Sequence, residues 1–282
     1  MDAVLTTGAS KGIGYSAAHY LANRGYRSLG TVRSEEAAAR LRHAGIEPVV
    51  MDVTDPASIS RAAEEIERSL EGTPLRALVN NAGVLAAGPI ELADLEEARA
   101  VFEVNFFGAL AVTQAFLPLL RASGGRVINM SSLSGRFAFP FVGIYAATKH
   151  ALEASSDALR RELVRAGVDV ILIEPGSIQT PIWDNLENLD LNRFRGTEYE
   201  QLMPVIRKIA VRGGRNGLPV DRVSRAVYRA VSSRRPPARI PVVASRPRWM
   251  LQRMLPARLW DRLIGRLLAR IDSGDEVESP FS

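Results

Sequence analysis

Seven short apolar runs alternate with longer segments of helical periodicity, and this alternation constrains the fold more than any other feature of the chain. The runs fall at 3–7, 28–33, 47–51, 75–80, 125–131, 168–174 and 240–243. The helix-period segments fall at 12–24, 35–43, 56–69, 94–120, 144–166 and 219–232. The run Val168-Asp169-Val170-Ile171-Leu172-Ile173 is rich in β-branched residues, as expected of a strand buried on both faces. Alternating β and α elements imply a parallel sheet with helices on both sides, and right-handed crossovers make it a doubly wound α/β fold. The expectation is a single Rossmann-type domain with a parallel sheet of about seven strands. The 282 residues, 46% of them hydrophobic, are ample for one such core. Ligands of these sheets bind outside the carboxyl ends of the strands, so chemistry is expected just after each strand. The stretch 181–216 lacks clear periodicity and reads as an irregular substrate loop. Trp183, Phe139, Phe141, Leu186 and Phe194 are candidate walls of a substrate pocket.

The first strand runs into Thr7-Gly8-Ala9-Ser10-Lys11-Gly12-Ile13-Gly14 and then a helix. Glycines there allow a tight turn and close approach of backbone to a pyrophosphate, and the helix start offers free N–H groups and a positive dipole end. The spacing differs from G-x-G-x-x-G, so by itself the cluster also fits a bare structural turn. The second strand ends at Val32-Arg33-Ser34, where an NAD site normally carries an acid for the ribose 2′-hydroxyl. Arg33, with Lys11 in the glycine turn, suits a 2′-phosphate instead, so NADP(H) is the expected cofactor. Glu35 and Glu36 oppose this but read as first-turn helix residues.

With these features the sequence resembles the short-chain dehydrogenase/reductase family, over nearly the whole chain to about residue 245. The motifs are Thr7-Gly8-x-x-x-Gly12-x-Gly14, Asp52-Val53, Asn80-Asn81-Ala82-Gly83, then Asn105, Ser132, Tyr145 and Lys149, then Pro175-Gly176 with Thr180. The resemblance implies cofactor contacts from Gly8, Ser10, Lys11, Gly12, Ile13, Gly14, Arg33, Asp52, Val53, Asn81, Ala82, Gly83, Tyr145, Lys149, Pro175, Gly176, Ile178 and Thr180. It implies Asn105, Ser132, Tyr145 and Lys149 as the catalytic set. Ser131-Ser132-Leu133-Ser134-Gly135 and Thr180-Pro181-Ile182-Trp183 are similar to relatives acting on steroids, retinoids and other lipophilic alcohols.

Tyr145 and Lys149 are four apart at a helix start, which puts them on one helical face. A nearby ammonium favours a phenolate, and the resemblance implies that Lys149 acts so while binding the nicotinamide ribose. Tyr145 would then pass the proton, and the Ser132 hydroxyl would bind the substrate oxygen where charge develops. Ser131 and Ser134 are rivals for that place. In relatives the equivalent of Asn105 holds a water beside the lysine; a purely structural amide is the other reading. The resulting expectation is an NADP(H)-dependent oxidoreductase acting on a secondary alcohol/ketone or an aldehyde, its small-molecule substrate lipophilic. An NAD-preferring alcohol dehydrogenase and a dinucleotide-binding redox-sensing regulator are the alternatives. Relatives form dimers or tetramers, and the helices at 94–120 and 144–166 are long enough for either assembly.

There is no cysteine, which excludes disulfides, thiolate metal sites and cysteine nucleophiles. His19, His43 and His150 lie in separate segments, so no metal is expected. The N-terminus lacks a signal-peptide pattern and no uninterrupted apolar run has transmembrane length, so a cytoplasmic protein is expected. The net charge of +5 is unevenly spread. Residues 1–206 carry 19 basic against 25 acidic side chains, 207–270 carry 17 against 2, and 271–282 carry none against 4. The segment 246–282 therefore reads as a basic C-terminal extension to a catalytic domain over 1–245. Within it Leu259, Trp260, Leu263, Ile264, Leu267, Leu268 and Ile271 share a helical face, and Arg258, Arg262, Arg266 and Arg270 form a stripe. It would fold over the substrate cleft, pack on a partner subunit, or make peripheral membrane contact through 246–271. Nucleic acid is not an expected partner, since no recognised module accompanies the charge.

Overall fold

The computed structural model describes residues 1–272; the remainder of the expected extension, 273–282, lies outside the described residues. Strands β1 (Ala3–Thr6), β2 (Arg27–Val32), β3 (Glu47–Val50), β4 (Leu75–Asn80), β5 (Arg126–Met130), β6 (Asp169–Pro175) and β7 (Arg239–Val242) form one sheet in the order β3-β2-β1-β4-β5-β6-β7. Every pairing is parallel. The chain reverses its direction of travel between β1 and β4, and the loops after these two strands lie side by side there, the usual place for a ligand in an open α/β sheet.

Because side chains alternate across a strand, neighbouring residues feed opposite cores. Leu5, Leu78 and Val127 pack with Ile59, Ala62 and Ile66 of α3 (Pro56–Leu70) and with Val112, Phe116 and Leu120 of α5 (Gly108–Ser123). Val4, Ala77 and Ile128 point the other way, onto Ala17 and Leu21 of α1 (Gly12–Ala22) and Val223, Val227 and Val231 of α9 (Asp221–Ser232). Burying a side chain such as Phe116 completely is worth about 1.5–3 kcal/mol. Local signals set the helix starts. Ser34 caps α2 (Glu35–His43) at Ala37 N–H, and Asp55 caps α3 just ahead of Pro56. Asp94 caps α4 (Leu95–Phe102) through two N–H groups.

The expected helix at 94–120 is α4 and α5 joined by a π-helical turn, Glu103–Phe107. Together they span Leu95–Ser123, with a window of mean hydropathy 1.5, long and apolar enough on those measures to cross a membrane. The full burial of Val112, Phe116 and Leu120 against the sheet gives that apolar stretch its place in the core.

The stretch 181–216 is not irregular. It forms α7 (Ile182–Glu187), a 3-10 turn at Leu191–Phe194, and α8 (Leu202–Arg215). Pro204 lies in the first turn of α8, where proline costs little. Gly214 is a packing glycine: a Cβ there would sit 2.1 Å from the Trp183 indole. Trp183, whose Nε1 donates to the Ile178 carbonyl at 2.8 Å, is therefore committed to the α7–α8 contact. Phe194 is 1% exposed and packs beside Gly88, which makes it a support of this layer. The sixth helix, α6 (Gly143–Glu162), and the two that follow β7, α10 (Arg246–Met254) and α11 (Ala257–Asp272), complete the chain described.

Candidate active site

The glycine turn is built against the loop after β4. Gly8 has φ +65° and a Cβ on it would lie 2.9 Å from Ala82 Cα. A Cβ on Gly14 would lie 2.3 Å from the Gly8 carbonyl oxygen and 2.4 Å from Asn81 Nδ2. Asn81 Nδ2 donates to the Thr7 and Gly8 carbonyls, and the N–H groups of Asn81 and Ala82 both donate to Thr7 Oγ1. Lys11 precedes α1 without a capping side-chain bond, so the helix start is open. A bare backbone cradle at a helix N-terminus fits the pyrophosphate of a dinucleotide. Arg33 is exposed at the end of β2. Asp52, after β3, is held below its ordinary value chiefly by the Thr54 N–H and hydroxyl, with Arg33 adding to the effect. Glu35 is turned away into an ion pair with Arg42 along α2.

One segment joins this cradle to the second cluster. β6 ends at Pro175, and a Cβ on Gly176 would lie 3.2 Å from Leu133, the neighbour of Ser132. Ile178 is buried and pairs with Leu218 in a short bridge. Thr180 then comes within 3.7 Å of the Cβ position of Gly12. The path from Pro175 to Thr180 thus runs from the serine to the glycine turn.

Tyr145 and Lys149 stand one turn apart on α6, with Lys149 Nζ 5.7 Å from the centre of the Tyr145 ring. Ser132, at the end of β5, caps a 3-10 turn by accepting from Ser134 N–H and is hydrogen-bonded to Tyr145. The rival Ser131 is buried beneath Gly135, whose Cβ position is 2.6 Å from Ser131 Oγ. Asn105 sits in the π-turn. Its Oδ1 accepts from Val84 N–H, and its Nδ2 donates to the Val84 carbonyl and Thr148 Oγ1. Its amide thus clamps the loop after β4 to α6. Gly83 in that loop leaves room for the lysine, its Cβ position being 3.7 Å from Lys149 Nζ.

Burial pushes the Tyr145 phenol up, against the opposing Ser132 hydrogen bond. Burial pulls Lys149 down to about 8, opposed by the Glu153 carboxylate. Lys149 Nζ also donates to the Met130 carbonyl at 2.9 Å. Desolvation is thus the larger of the two influences on the phenol and favours its protonated form.

Sequence reasoning missed the groups behind this cluster. Glu153, one turn beyond Lys149, is buried and held by Arg239 Nε at 3.0 Å, with Arg136 Nη1 at 3.9 Å. Arg239 also reaches Glu174 at 3.3 Å and Asp157 at 2.9 Å. Asn80 donates to Thr113 and Asn129, and Asn129 donates to Ser156, a buried polar layer under the strand ends. The signal was a polar residue within an apolar run, Glu174 in one group and Asn129 in the other, but their partners are far apart in sequence. The expected high-pH limb of kcat/KM lies near 8, falling as Lys149 loses its charge. Glu153→Gln removes a stabilising carboxylate, so that limb should move to lower pH; an unmoved limb would mean that Glu153 does not act on Lys149.

A backbone cradle for a pyrophosphate, a tyrosine–lysine pair at the strand ends and a doubly wound sheet define a dinucleotide-dependent oxidoreductase. The short chain dehydrogenase family model matches residues 2–190, and the chain belongs to the short-chain dehydrogenase/reductase family. It is 36% identical over 281 residues to an NADPH-dependent 3-dehydrocapnine reductase of Ornithobacterium rhinotracheale, covering 96% of this chain and 99% of that one. It is 38% identical over 232 residues to estradiol 17-beta-dehydrogenase 2 of Rattus norvegicus, covering 74% of this chain and 61% of that one. Among solved structures, a short chain dehydrogenase/reductase of Burkholderia phymatum in complex with NAD matches with a TM-score of 0.76 and 25% identity, over 100% of this chain and 98% of that one.

Proposed function

We propose that this protein is an NADP(H)-dependent carbonyl reductase and alcohol dehydrogenase acting on a lipophilic secondary alcohol/ketone or aldehyde. The observation that carries the reading is the convergence of Ser132, Tyr145 and Lys149 at the end of the path that begins in the glycine cradle. The dinucleotide would be held by the turn Gly8–Gly14, by Asp52-Val53 and Asn81–Gly83 at its adenosine end, and by Pro175–Thr180 toward the nicotinamide; when bound it supplies or accepts the hydride. The Ser132 hydroxyl binds the carbonyl oxygen. Tyr145, kept protonated by burial, donates its proton to that oxygen in reduction. Lys149 steadies the tyrosine's developing charge through its own. Asn105 fixes the loop and helix on which these groups ride.

The preference for NADP(H) rests on Arg33 and Lys11, both exposed at the adenosine end. Support also comes from the similarity to an NADPH-dependent reductase, although a structural relative binds NAD. Arg33→Asp should weaken NADP(H) binding by about 10–100-fold, the worth of one charge-assisted hydrogen bond, and shift preference to NAD(H). An unchanged ratio of the two cofactors would remove the 2′-phosphate assignment. The lipophilic substrate class draws on the similarity to an estradiol dehydrogenase and on the aromatic pair Phe137–Phe139 following Ser132. A homodimer or homotetramer formed through the long helices is part of the same reading, since Phe107 and Leu110 are exposed along the α4–α5 rod.

A further inference from the structure

Helices α10 and α11 present a surface that neither the fold nor the catalytic cluster requires. Trp260 packs against Phe137 of the loop after Ser132, with ring centres 6.0 Å apart. Ile271 is buried, and Ile264, Leu267 and Leu268 are half-buried. This inner face fastens α11 beside the substrate side of the molecule.

The outer face is different. Met250, Leu251, Met254, Leu259 and Leu263 are 59%, 61%, 80%, 41% and 42% exposed. No other stretch of this length among the described residues concentrates so much exposed large apolar surface. Arg258, Arg262 and Arg266 stand exposed among them at four-residue spacing. Residues 246–272 contain seven arginines and only two acids.

We infer that α10 and α11 dock on an anionic lipid bilayer, with the methionine and leucine side chains entering the interface and the arginines meeting acidic headgroups. Charge complementarity selects this occupant. A second copy of the chain laid face to face would bring two arginine stripes together. A nucleic acid would use the charge but leave the five apolar side chains in water. An acidic bilayer surface satisfies both, as amphipathic basic helices do. The docked face adjoins the Phe137 loop, so the substrate side would lie close to the membrane. The docking itself stands apart from any substrate assignment.

Vesicle flotation of the full-length protein tests it. Expected is partition onto phosphatidylcholine vesicles containing phosphatidylglycerol, little onto phosphatidylcholine alone, and partial release by salt. The triple variant Arg258→Glu, Arg262→Glu, Arg266→Glu should partition at least about 100-fold less, at roughly fivefold per neutralised charge. Leu251→Ser with Leu263→Ser should weaken binding at unchanged charge. All of these positions are exposed, so the thermal midpoint should hold and NADPH binding should match the parent. Equal partition of parent and arginine variant, equal binding to both lipid mixtures, or no binding to either would overturn the proposal. So would a dimer that the leucine variant dissociates in the absence of lipid, which would assign the face to a second copy.

Discussion

Tyr145→Phe is expected to lower kcat by about 10²–10⁴-fold, the usual contribution of a positioned proton donor. The ring stays where it is, on the first turn of α6 with the Lys149 ammonium 5.7 Å from its centre, so packing is preserved. Only the hydroxyl is lost, together with the hydrogen bond to Ser132. Cofactor affinity and the thermal midpoint should therefore change little, which separates loss of chemistry from loss of fold. Lys149→Met makes a useful contrast. It removes a buried charge together with its bond to the Met130 carbonyl, so it should alter cofactor binding as well as turnover. Activity retained in Tyr145→Phe would take the proton transfer away from this residue.

Gly14→Ala is expected to have the second-largest effect, and on a different property. The new methyl would meet the Gly8 carbonyl oxygen at 2.3 Å and Asn81 Nδ2 at 2.4 Å. Neither neighbour is free to yield, because Asn81 Nδ2 is bonded to the Thr7 and Gly8 carbonyls and Thr7 Oγ1 holds the next two N–H groups. Overpacking of this kind costs about 1–3 kcal/mol. It also opens the cradle, so dinucleotide binding should be lost with the stability. Gly265→Ala is the control. Nothing lies within 4 Å of its Cβ position on α11, and exchanging glycine for alanine within a helix should stabilise by about 0.5–1 kcal/mol. Equal behaviour of the two variants, followed by thermal unfolding and by NADPH titration, would show that the close approach at Gly14 has no consequence.

The sheet was legible because its central strands are buried on both faces. Such strands appear as short, nearly unbroken apolar runs, and all seven fell within a few residues of their observed places. The tyrosine–lysine pair was legible for a similar reason: its geometry is local, four residues on one helix. What escaped depends on contacts distant in sequence. Gly214 looks like a helix breaker until Trp183 is seen stacked on it. The π-turn at Glu103–Phe107 alters the register that faces Asn105 toward Val84 and Thr148, and no residue pattern announces it. The ion-pair cluster of Glu153, Glu174 and Arg239 joins α6, β6 and β7, so each member alone reads as an isolated charge. The π-turn and the cluster both lie behind the candidate catalytic side chains, where tertiary packing decides charge and orientation.

The central claim is tested most directly by following NADPH and NADH oxidation by the purified protein against ketosteroids, retinal, aliphatic and aromatic aldehydes and small ketones. The expected result is turnover with NADPH, favoured over NADH, on at least one lipophilic carbonyl. Tight NADPH binding without turnover on any of them would contradict the claim and favour a dinucleotide-binding regulator.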